Sequence, residues 1–521
     1  MDDAELRKAI ELLELLGGDL ARLALLDDEL RRRLVVAAGQ ISRPDRYTRA
    51  ALSKAAVRAR KVARRDAAVA ALDQTGIRAL RREPVYRTPL PPPEVPLDEP
   101  PRGDEPGEPD AWAAAEARRD QPPVRRLADD RHCYVCKADF RELHHFYDQL
   151  CPACAAFNFA KRTESADLRG RVALLTGGRV KIGYQAGIKL LRAGAALIVT
   201  TRFPRDSALR YAREPDFEEW GDRLEIFGLD LRHTPSVEAF CRHLLTTRTR
   251  LDFIVNNACQ TVRRPPEFYR HMMELETASL GSMPDAARGL LGEYEGLRGY
   301  DLVGEGTPAL LEVGASDPVG LTHAAELSQA RLLPDDDRPA GHLFPEGQLD
   351  QDLQQVDLRG RNSWRLTLEE VSSVELLETQ LVNAVAPFVL NGKLKPLMTR
   401  TPERDKHIVN VSAVEGQFYR RFKTTKHPHT NMAKAALNMM TRTSAADYHH
   451  DGIHMNSVDT GWVSDEDPVH IAERKTAEHR FHPPLDIVDG AARIVDPIFA
   501  GLATGEHAFG KFFKDYRVVD W

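Results

Sequence analysis

Short apolar runs alternate with helical patterns through the second half of the chain, and this alternation limits the fold more than any other feature. The runs are Val172–Leu175, Ala196–Val199, Leu224–Phe227, Leu251–Val255 and His407–Val411. Helical patterns over 185–191 and 236–245 separate the early ones. Near-continuous apolar strands with helices between them are typical of a parallel sheet covered on both faces. The sequence therefore predicts an α/β domain with a doubly wound parallel sheet.

We place this domain at residues 168–521. The stretch from about 265 to 361 breaks the alternation, because it is rich in Gly, Pro and acidic residues and has few long apolar runs. A segment of this kind within a regular α/β pattern is typical of an insertion. The sequence thus predicts an insertion of roughly 100 residues inside the domain.

A glycine-containing turn follows the first predicted strand and leads directly into a helix. It reads Thr176-Gly177-Gly178-Arg179-Val180-Lys181-Ile182-Gly183. Such a turn lets backbone amides approach a pyrophosphate, and the helix N-terminus adds positive potential there. The turn therefore indicates a dinucleotide site, although Lys181 stands where the middle glycine of the usual spacing is expected.

The second predicted strand ends in basic rather than acidic residues. It reads Val199-Thr200-Thr201-Arg202, with Arg205 close behind. No carboxylate is present at this end to accept a hydrogen bond from a ribose 2′-hydroxyl, whereas a guanidinium suits a 2′-phosphate. This end of the strand favours NADP(H) over NAD(H).

These segments, with six further ones, resemble the short-chain dehydrogenase/reductase family. The six are Asp230-Leu231, Asn256-Asn257-Ala258, Val382-Asn383 to Pro387-Phe388, Ile408 to Ser412, Lys434-Ala435-Ala436-Leu437 and Asn456 to Val463, where Thr460 replaces the usual proline. The resemblance covers about 350 residues and implies a Rossmann-type fold, a small-molecule substrate and a homo-oligomer. It implies eleven cofactor-binding residues: Gly177, Arg179, Ile182, Gly183, Arg202, Asp230, Leu231, Asn257, Lys434, Gly461 and Val463.

The residues that carry proton transfer in the family are altered here. The resemblance implies that Lys434 and Asn383 are retained catalytic residues. It places Thr430 where the family has its catalytic tyrosine and Ala413 where it has its serine, with Ser412 one residue earlier. A threonine hydroxyl is much less acidic than a phenol, whose pKa is about 10, and is poorly suited to general acid catalysis near neutral pH.

Other residues are candidates for the missing proton donor. Tyr419, His427 and His429 lie between the two altered positions. Either one of them donates the proton, or Tyr419 packs and the histidines cap the helix that begins near Asn431. We also expect an anionic substrate, because five cations surround the predicted cleft: Arg263, Arg264, Arg420, Arg421 and Lys423.

Two cysteine pairs precede the α/β domain. Cys133, Cys136, Cys151 and Cys154 are spaced C-x2-C-x14-C-x2-C. Four thiolates at this spacing can close a tetrahedral Zn²⁺ site, which favours metal over a redox-active pair. A closed four-cysteine site has no open position for a substrate. We therefore predict a small structural zinc module, like a zinc ribbon, at residues 130–163.

The remaining N-terminal part divides into two regions. Residues 1–82 carry apolar residues at helical spacing, and positions 41–82 hold 12 Lys/Arg against 3 Asp/Glu. This charge indicates either a docking face for an acidic partner or RNA or, more simply, a solvated helical face. Residues 83–129 are rich in proline and predict an extended linker. The net charge of −6 gives no basis for nucleic-acid binding.

The start of the chain is acidic and lacks the apolar region of a signal peptide, and no apolar run is long enough to cross a membrane. We therefore expect a cytoplasmic protein. Two functions fit the sequence. The first is an NADP(H)-dependent oxidoreductase with a rearranged proton donor, favoured by Lys434 and Asn383. The second is a catalytically inactive dinucleotide sensor or scaffold, favoured by Ala413 and Thr430, that binds a protein partner through the zinc module or the N-terminal helices.

Overall fold

The computed structural model describes residues 2–90, 125–291, 323–337, 340–419, 423–464, 466–479 and 482–521. The chain divides into two compact units, Met1–Asp73 and Gln74–Trp521. The first unit consists of the helices α1 (Asp3–Gly18), α2 (Asp28–Ser42) and α3 (Arg46–Asp73). Asp2 and Asp27 cap α1 and α2 by accepting backbone N–H bonds in the first turn, which is the usual role of aspartate at that position.

Helix α4 (Gly76–Arg82) belongs to the second unit. The boundary therefore lies after Asp73 and not after residue 82, where the sequence placed it. The reason is a buried ion pair in which Arg78 Nε donates to Asp148 Oδ2 at 2.6 Å. A contact over 70 positions cannot be read from local periodicity.

The region predicted as a linker, 83–129, is attached to the second unit at both described ends. The backbone N–H of Tyr86 donates to the carbonyl oxygen of Gln351 at 2.9 Å. At the other end, a strand begins at Arg125. Residues 91–124 lie outside the described part of the chain.

The cysteine module is a hairpin followed by a helix. Strands β1 (Arg125–His132) and β2 (Asp139–Leu143) pair antiparallel, and α5 (Pro152–Thr163) follows. The module thus begins five residues before the predicted position 130. Arg162, at the end of α5, forms two bonds of 2.6 and 2.9 Å to the buried carboxylate of Asp486. This bidentate pair fixes the module to the α/β domain.

The main sheet has eight strands in the order β10-β9-β8-β7-β6-β3-β4-β5. The strands are β3 (Val172–Thr176), β4 (Ala196–Thr201), β5 (Leu224–Gly228), β6 (Phe253–Asn256), β7 (Lys406–Ser412), β8 (Ile453–Asp459), β9 (Phe512–Lys514) and β10 (Arg517–Val519). All neighbouring pairs are parallel except β9 and β10. The five apolar runs of the sequence coincide with β3 to β7, and the predicted doubly wound fold is confirmed.

Helices cover both faces of this sheet. They are α6 (Lys181–Arg192), α7 (Pro204–Tyr211), α8 (Thr234–Thr247), α9 (Pro266–Thr277), α10 (Asp285–Gly289), α11 (Ala324–Leu327), α12 (Ser373–Gln380), α13 (Ala386–Met398), α14 (Pro428–His450), α15 (Val469–His479) and α16 (Ile487–Thr504). One buried cluster contains side chains of α6, α7 and α16, and a second contains side chains of α8, α13 and α14. None of the helices in the described ranges combines the length and apolar character needed to cross a bilayer.

The region predicted as an insertion packs beside the end of β4. Helix α9 contributes Phe268, Tyr269 and Met272 to a small apolar cluster with Phe203, which lies two residues beyond β4, and with Phe344. This cluster holds α9 and the 340–344 segment over the carboxyl edge of the sheet, where the functional side chains gather.

Candidate functional site

A cleft of about 900 Å³ opens at the carboxyl ends of the parallel strands. Open α/β sheets bind their ligands at this edge. The cleft brings together all eleven residues predicted to bind the cofactor: Gly177, Arg179, Ile182, Gly183, Arg202, Asp230, Leu231, Asn257, Lys434, Gly461 and Val463. These residues come from six separate parts of the chain, so the shared cleft is a property of the fold.

The glycine turn is held against the end of β6. Asn257 Nδ2 donates to the carbonyl oxygens of Thr176 and Gly177, each at 3.1 Å. Gly177 has φ +71°, and a Cβ at Gly183 would lie 2.3 Å from Asn257 Nδ2 and from the oxygen of Gly177. Both glycines are therefore required for this close approach of β3, α6 and β6.

Arg202 lies just beyond β4 and lines the cleft. Its Nη2 donates to the hydroxyl oxygen of Tyr269 at 2.7 Å, and the guanidinium carbon lies 4.6 Å from the centre of that ring. Tyr269 thus orients the guanidinium. Arg205, the second arginine considered for a 2′-phosphate, is buried, and its Nη1 donates to the carbonyl oxygens of Leu275 and Ala278. Arg205 therefore binds the carbonyl groups at the end of α9, and it is not among the described residues that line the cleft.

Two further predicted cofactor residues are held by ion pairs. Arg179 is buried and donates to Asp206 Oδ2 at 2.7 Å. Asp230 accepts bonds from Arg232, whose Nη2 lies 2.6 Å from Asp230 Oδ2. Burial opposes ionisation of Asp230, but the bonds and charge of Arg232 outweigh it and lower the pKa of the carboxyl. Both side chains therefore form a fixed wall of the cleft.

Lys434 and Ser412 mark the other half of the cleft. Lys434, on α14, is buried and its Nζ donates to the carbonyl oxygen of Val411 at 2.7 Å. Ser412 ends β7, is also buried, and its Oγ has no hydrogen-bond partner among the described residues. Ser412 and Lys434 line the cleft together with Ala413. Because Val411 precedes Ser412 in β7, the bond from Lys434 places the two residues in the same part of the cleft wall.

Asn383 lies in a π-helical turn, Leu381–Val385, between α12 and α13. Its Oδ1 accepts the backbone N–H of Gln260 at 2.7 Å, and its Nδ2 donates to the carbonyl oxygen of Gln260 at 3.0 Å. Turns of this kind are frequent at functional sites. Among the described residues, Val382 rather than Asn383 lines the cleft. Asn383 therefore anchors the loop after β6.

The candidate proton donors are separated by the structure. Tyr419 lines the cleft, and its side chain keeps 55% of its surface exposed. Thr430 lies in the first turn of α14, is buried, and is not among the described residues that line the cleft. Its Oγ1 has no hydrogen-bond partner in the described part of the chain. Of the two hydroxyls, only that of Tyr419 is within reach of a cleft ligand.

Neither candidate histidine is among the described residues that line the cleft. His427 stacks on Trp364, with ring centres 3.9 Å apart, and burial lowers its pKa to about 4. His429 is buried, with Nε2 3.6 Å from Glu375 Oε1, and burial lowers its pKa despite that carboxylate. A neutral imidazole at neutral pH is a poor acid, so both positions argue against these histidines as donors.

The two arginines that follow β6 are already paired with carboxylates. Arg263 donates to both carboxylate oxygens of Asp336 at 2.7 and 2.8 Å, and Arg264 is paired with Asp357. The sequence argument for an anionic substrate also used Lys423, Arg420 and Arg421. Lys423 Nζ donates to the carbonyl oxygen of Glu415. Arg420 and Arg421 lie outside the described residues. The paired arginines remove most of that argument.

Comparison with known proteins agrees with this geometry. Residues 171–276 match the short chain dehydrogenase family, and residues 361–485 match the enoyl-(acyl carrier protein) reductase family. A bovine dehydrogenase/reductase SDR family member 13 is 33% identical over 104 residues, which are 19% of this chain and 27% of that protein. Both matched segments lie in the α/β domain, which is therefore similar to the short-chain dehydrogenase/reductase family in each of its halves.

One relative is similar to this chain over a longer stretch than the family matches cover. An uncharacterised protein of Acanthamoeba polyphaga mimivirus is 29% identical over 380 residues, which are 71% of each chain. Among solved structures, a short chain dehydrogenase from Burkholderia cenocepacia in complex with NADP is 16% identical, with a TM-score of 0.40 over 66% of this chain and 96% of that chain. The family matches leave residues 277–360, most of the predicted insertion, between them.

The cleft contains polar residues that sequence reasoning missed. Asp459, the last residue of β8, is buried, and its Oδ2 has no hydrogen-bond partner among the described residues. Lys514 Nζ lies 3.6 Å from that oxygen. Tyr134, between the first two cysteines, accepts the backbone N–H of Trp462 at 3.0 Å. Asp459 could have been predicted as a cleft residue, because it directly precedes Thr460-Gly461. Lys514 and Tyr134 could not, because tertiary contacts bring them to the cleft.

The four cysteines form one cluster, with all four Sγ atoms within 4.8 Å of one another. The sulfurs of Cys136 and Cys151 are 3.6 Å apart, close to the roughly 3.8 Å expected between thiolates that each lie about 2.3 Å from a tetrahedral zinc. Cys133 Sγ also accepts the backbone N–H of Cys151 at 3.3 Å. These distances fit a four-thiolate metal site.

Proposed function

We propose that this protein is an NADP(H)-dependent oxidoreductase of the short-chain dehydrogenase/reductase type, acting on a small carbonyl or alcohol substrate. The observation that carries the proposal is the position of Arg202. It lies at the end of β4, where an NAD-binding member would need an acidic residue, and it lines the same cleft as the glycine turn and Lys434. A guanidinium there favours a 2′-phosphate.

Each part of the cleft has a role in this proposal. The turn from Gly177 to Gly183 and the N-terminus of α6 bind the diphosphate. Arg202, oriented by Tyr269, binds the 2′-phosphate. Lys434 holds the nicotinamide ribose, as its match to the family lysine implies. The bound cofactor supplies or accepts a hydride, and the chain must orient the substrate and move one proton.

For the proton we propose Tyr419, with Ser412 orienting the substrate oxygen. Both residues line the cleft, as does Lys434. The proposal makes no claim on substrate charge, because Arg263 and Arg264 are neutralised by Asp336 and Asp357.

The test is a comparison of NADPH and NADH affinities in the wild type and in Arg202→Ala, measured by calorimetric titration. We expect the wild type to prefer NADPH, and the variant to lose about 10- to 100-fold of that preference, since a hydrogen bond to a charged group contributes about 1.5–3 kcal/mol. Arg213→Ala removes an exposed arginine of the same domain and should leave the preference unchanged. A variant that keeps the wild-type preference would remove the argument for NADP(H).

We further propose that Cys133, Cys136, Cys151 and Cys154 hold one structural Zn²⁺. Each C-x2-C pair supplies two ligands, and four thiolates leave no open coordination position. The ion would hold the turn between β1 and β2 against the start of α5. At the other end of α5, the Arg162–Asp486 pair binds this helix to the α/β domain. Metal analysis of the purified protein should give close to one zinc per chain.

A second function is favoured by one observation. Thr430 is secluded from the cleft, and the only family-like catalytic groups that line it among the described residues are Lys434 and Ser412. A dinucleotide sensor or scaffold, which binds a protein partner through the cysteine module or the basic N-terminal helices, needs only the cofactor half. Tight NADPH binding without hydride transfer to any carbonyl compound would support this alternative.

A further inference from the structure

The glycine turn of the cleft carries a lysine in a backbone conformation that favours glycine. Lys181, the first residue of α6, has φ +55°. The left-handed region is unfavourable for residues with a Cβ, because that atom crowds the following carbonyl oxygen. Glycine at this position would fit without strain, as in the usual spacing of such turns. A strained residue retained at a ligand cleft is a reason to look for a role of its side chain.

The side chain of Lys181 lies in the cleft and keeps 35% of its surface exposed. Its Nζ is 4.0 Å from Asp350 Oδ2, longer than a hydrogen bond. Asp350 Oδ1 is occupied by the backbone N–H groups of Asp352 and Gln354. Within the described part of the chain, no hydrogen bond forms to Lys181 Nζ. The ammonium is thus held in the cleft with its donors open.

Carboxylates surround this ammonium. Burial opposes protonation of Lys181, but the charges of Glu466, Asp352 and Asp350 outweigh it and raise its pKa. The side chain is therefore charged at neutral pH. Without it, the carboxylates of Asp350 and Glu466 would remain in the same cleft as the turn, where they would repel a phosphate.

We propose that Lys181 is a phosphate-binding residue, whose ammonium binds the diphosphate of the dinucleotide. This inference rests on the proposed cofactor. Lys181 contributes in two ways, by donating charge-assisted hydrogen bonds to phosphate oxygens and by neutralising the carboxylates of the 350–352 segment and Glu466. Arg179 is less free to bind the diphosphate, because its guanidinium donates a hydrogen bond to Asp206.

The test uses two substitutions that separate charge from backbone strain. Lys181→Met removes the charge and keeps the Cβ, so NADPH should bind about tenfold more weakly, with a Kd that depends less on salt, while Tm does not rise. Lys181→Gly removes both charge and strain. It should bind NADPH as weakly as Lys181→Met and yet show a higher Tm, by about 2 °C.

Lys393→Met is the matched control, since it removes one lysine charge from an exposed site on α13. It should leave NADPH affinity unchanged. The inference is overturned if Lys181→Met and Lys181→Gly bind NADPH within twofold of the wild type. It is also overturned if Lys181→Gly lowers Tm with affinity unchanged, because Lys181 then only holds the 350–352 segment. A wild type that binds neither NADPH nor NADH refutes the proposed cofactor itself.

Discussion

The two halves of the cleft differ in how their polar groups are satisfied. In the half formed by the ends of β3 to β6, Asn257 is bonded to the glycine turn and Asp230 to Arg232. In the half formed by the ends of β7 and β8, Ser412 Oγ and Asp459 Oδ2 have no hydrogen-bond partner among the described residues. Buried polar groups are seldom left unpaired.

Under the proposed function, this difference separates the half that binds the cofactor from the half in which the reaction takes place. The cofactor half is ordered by its own bonds, so it can hold a dinucleotide without rearrangement, and the cost of ordering it is already met in folding. In the other half, the buried Ser412 Oγ and Asp459 Oδ2 are left without a hydrogen bond by the described residues. Sites where a fold leaves polar groups unpaired are candidates for ligand or catalytic roles.

The largest effect that tests this comparison concerns Tyr419. If the phenol donates the proton, Tyr419→Phe should lower turnover by about 10² or more, the usual contribution of a general acid, and should leave NADPH affinity unchanged because the phenol belongs to the other half. Steady-state rates and a parallel NADPH titration measure both. Phe418→Leu alters the neighbouring exposed ring and should leave both values unchanged. Full activity in Tyr419→Phe would identify another donor, with Asp459 the next to test.

The second effect concerns the cysteine module, which contributes Tyr134 to the reaction half. Cys151→Ser should abolish the single equivalent of zinc and lower Tm by several degrees, because a closed metal site contributes to folding. Metal analysis and thermal unfolding measure this. Cys259→Ser, outside the cluster, should keep the metal. A folded wild type with four free thiols and no zinc would contradict the metal proposal.

The smallest effect concerns the buried histidines beside the reaction half. His427 has a pKa of about 4 in the folded chain, against about 6.5 for an unfolded histidine. The unfolded state therefore binds the proton first as pH falls, and the free energy of unfolding decreases below about pH 6.5 until the folded histidine also titrates. Tm should be a few degrees lower at about pH 5 than at about pH 7.

A substitution isolates the contribution of that histidine. Because His427 has φ +45°, asparagine is the replacement that tolerates its backbone conformation. His427→Asn should lose the stacking on Trp364 and be less stable at neutral pH, but its Tm should fall less steeply with acid. An unchanged pH dependence in this variant would show that other histidines, such as His407, dominate the acid sensitivity.

The sequence predicted the sheet correctly, and the eleven residues that it assigned to the cofactor line one cleft, because both depend on local patterns. Apolar runs mark β3 to β7, and the turn from Gly177 to Gly183 with Arg202 marks a strand-to-helix phosphate site. The sequence could not predict the position of a side chain that is set by contacts with distant parts of the chain. Arg205 follows Arg202 closely in the sequence, but the structure buries it against the end of α9. Nothing in the local sequence distinguishes Arg205 from Arg202.

The same limit applies to the reaction half. Alignment with the family locates Lys434, but it cannot show that Asp336 neutralises Arg263 or that Trp364 covers His427. Nor could it show that Tyr134 of the cysteine module reaches the loop after β8. These contacts join segments separated by more than 60 positions. Long-range pairing therefore decides which candidate donors meet the cleft.

The central claim is that the cleft transfers a hydride, and single-turnover oxidation of bound NADPH tests it most directly. The wild type is loaded with NADPH and mixed with a panel of aldehydes, ketones and quinones, and the absorbance of the reduced nicotinamide is followed, with Lys434→Ala in parallel. We predict that at least one compound oxidises the bound cofactor in the wild type and none does so in Lys434→Ala. Tight binding of NADPH that no compound oxidises would contradict the claim and identify the protein as a dinucleotide sensor.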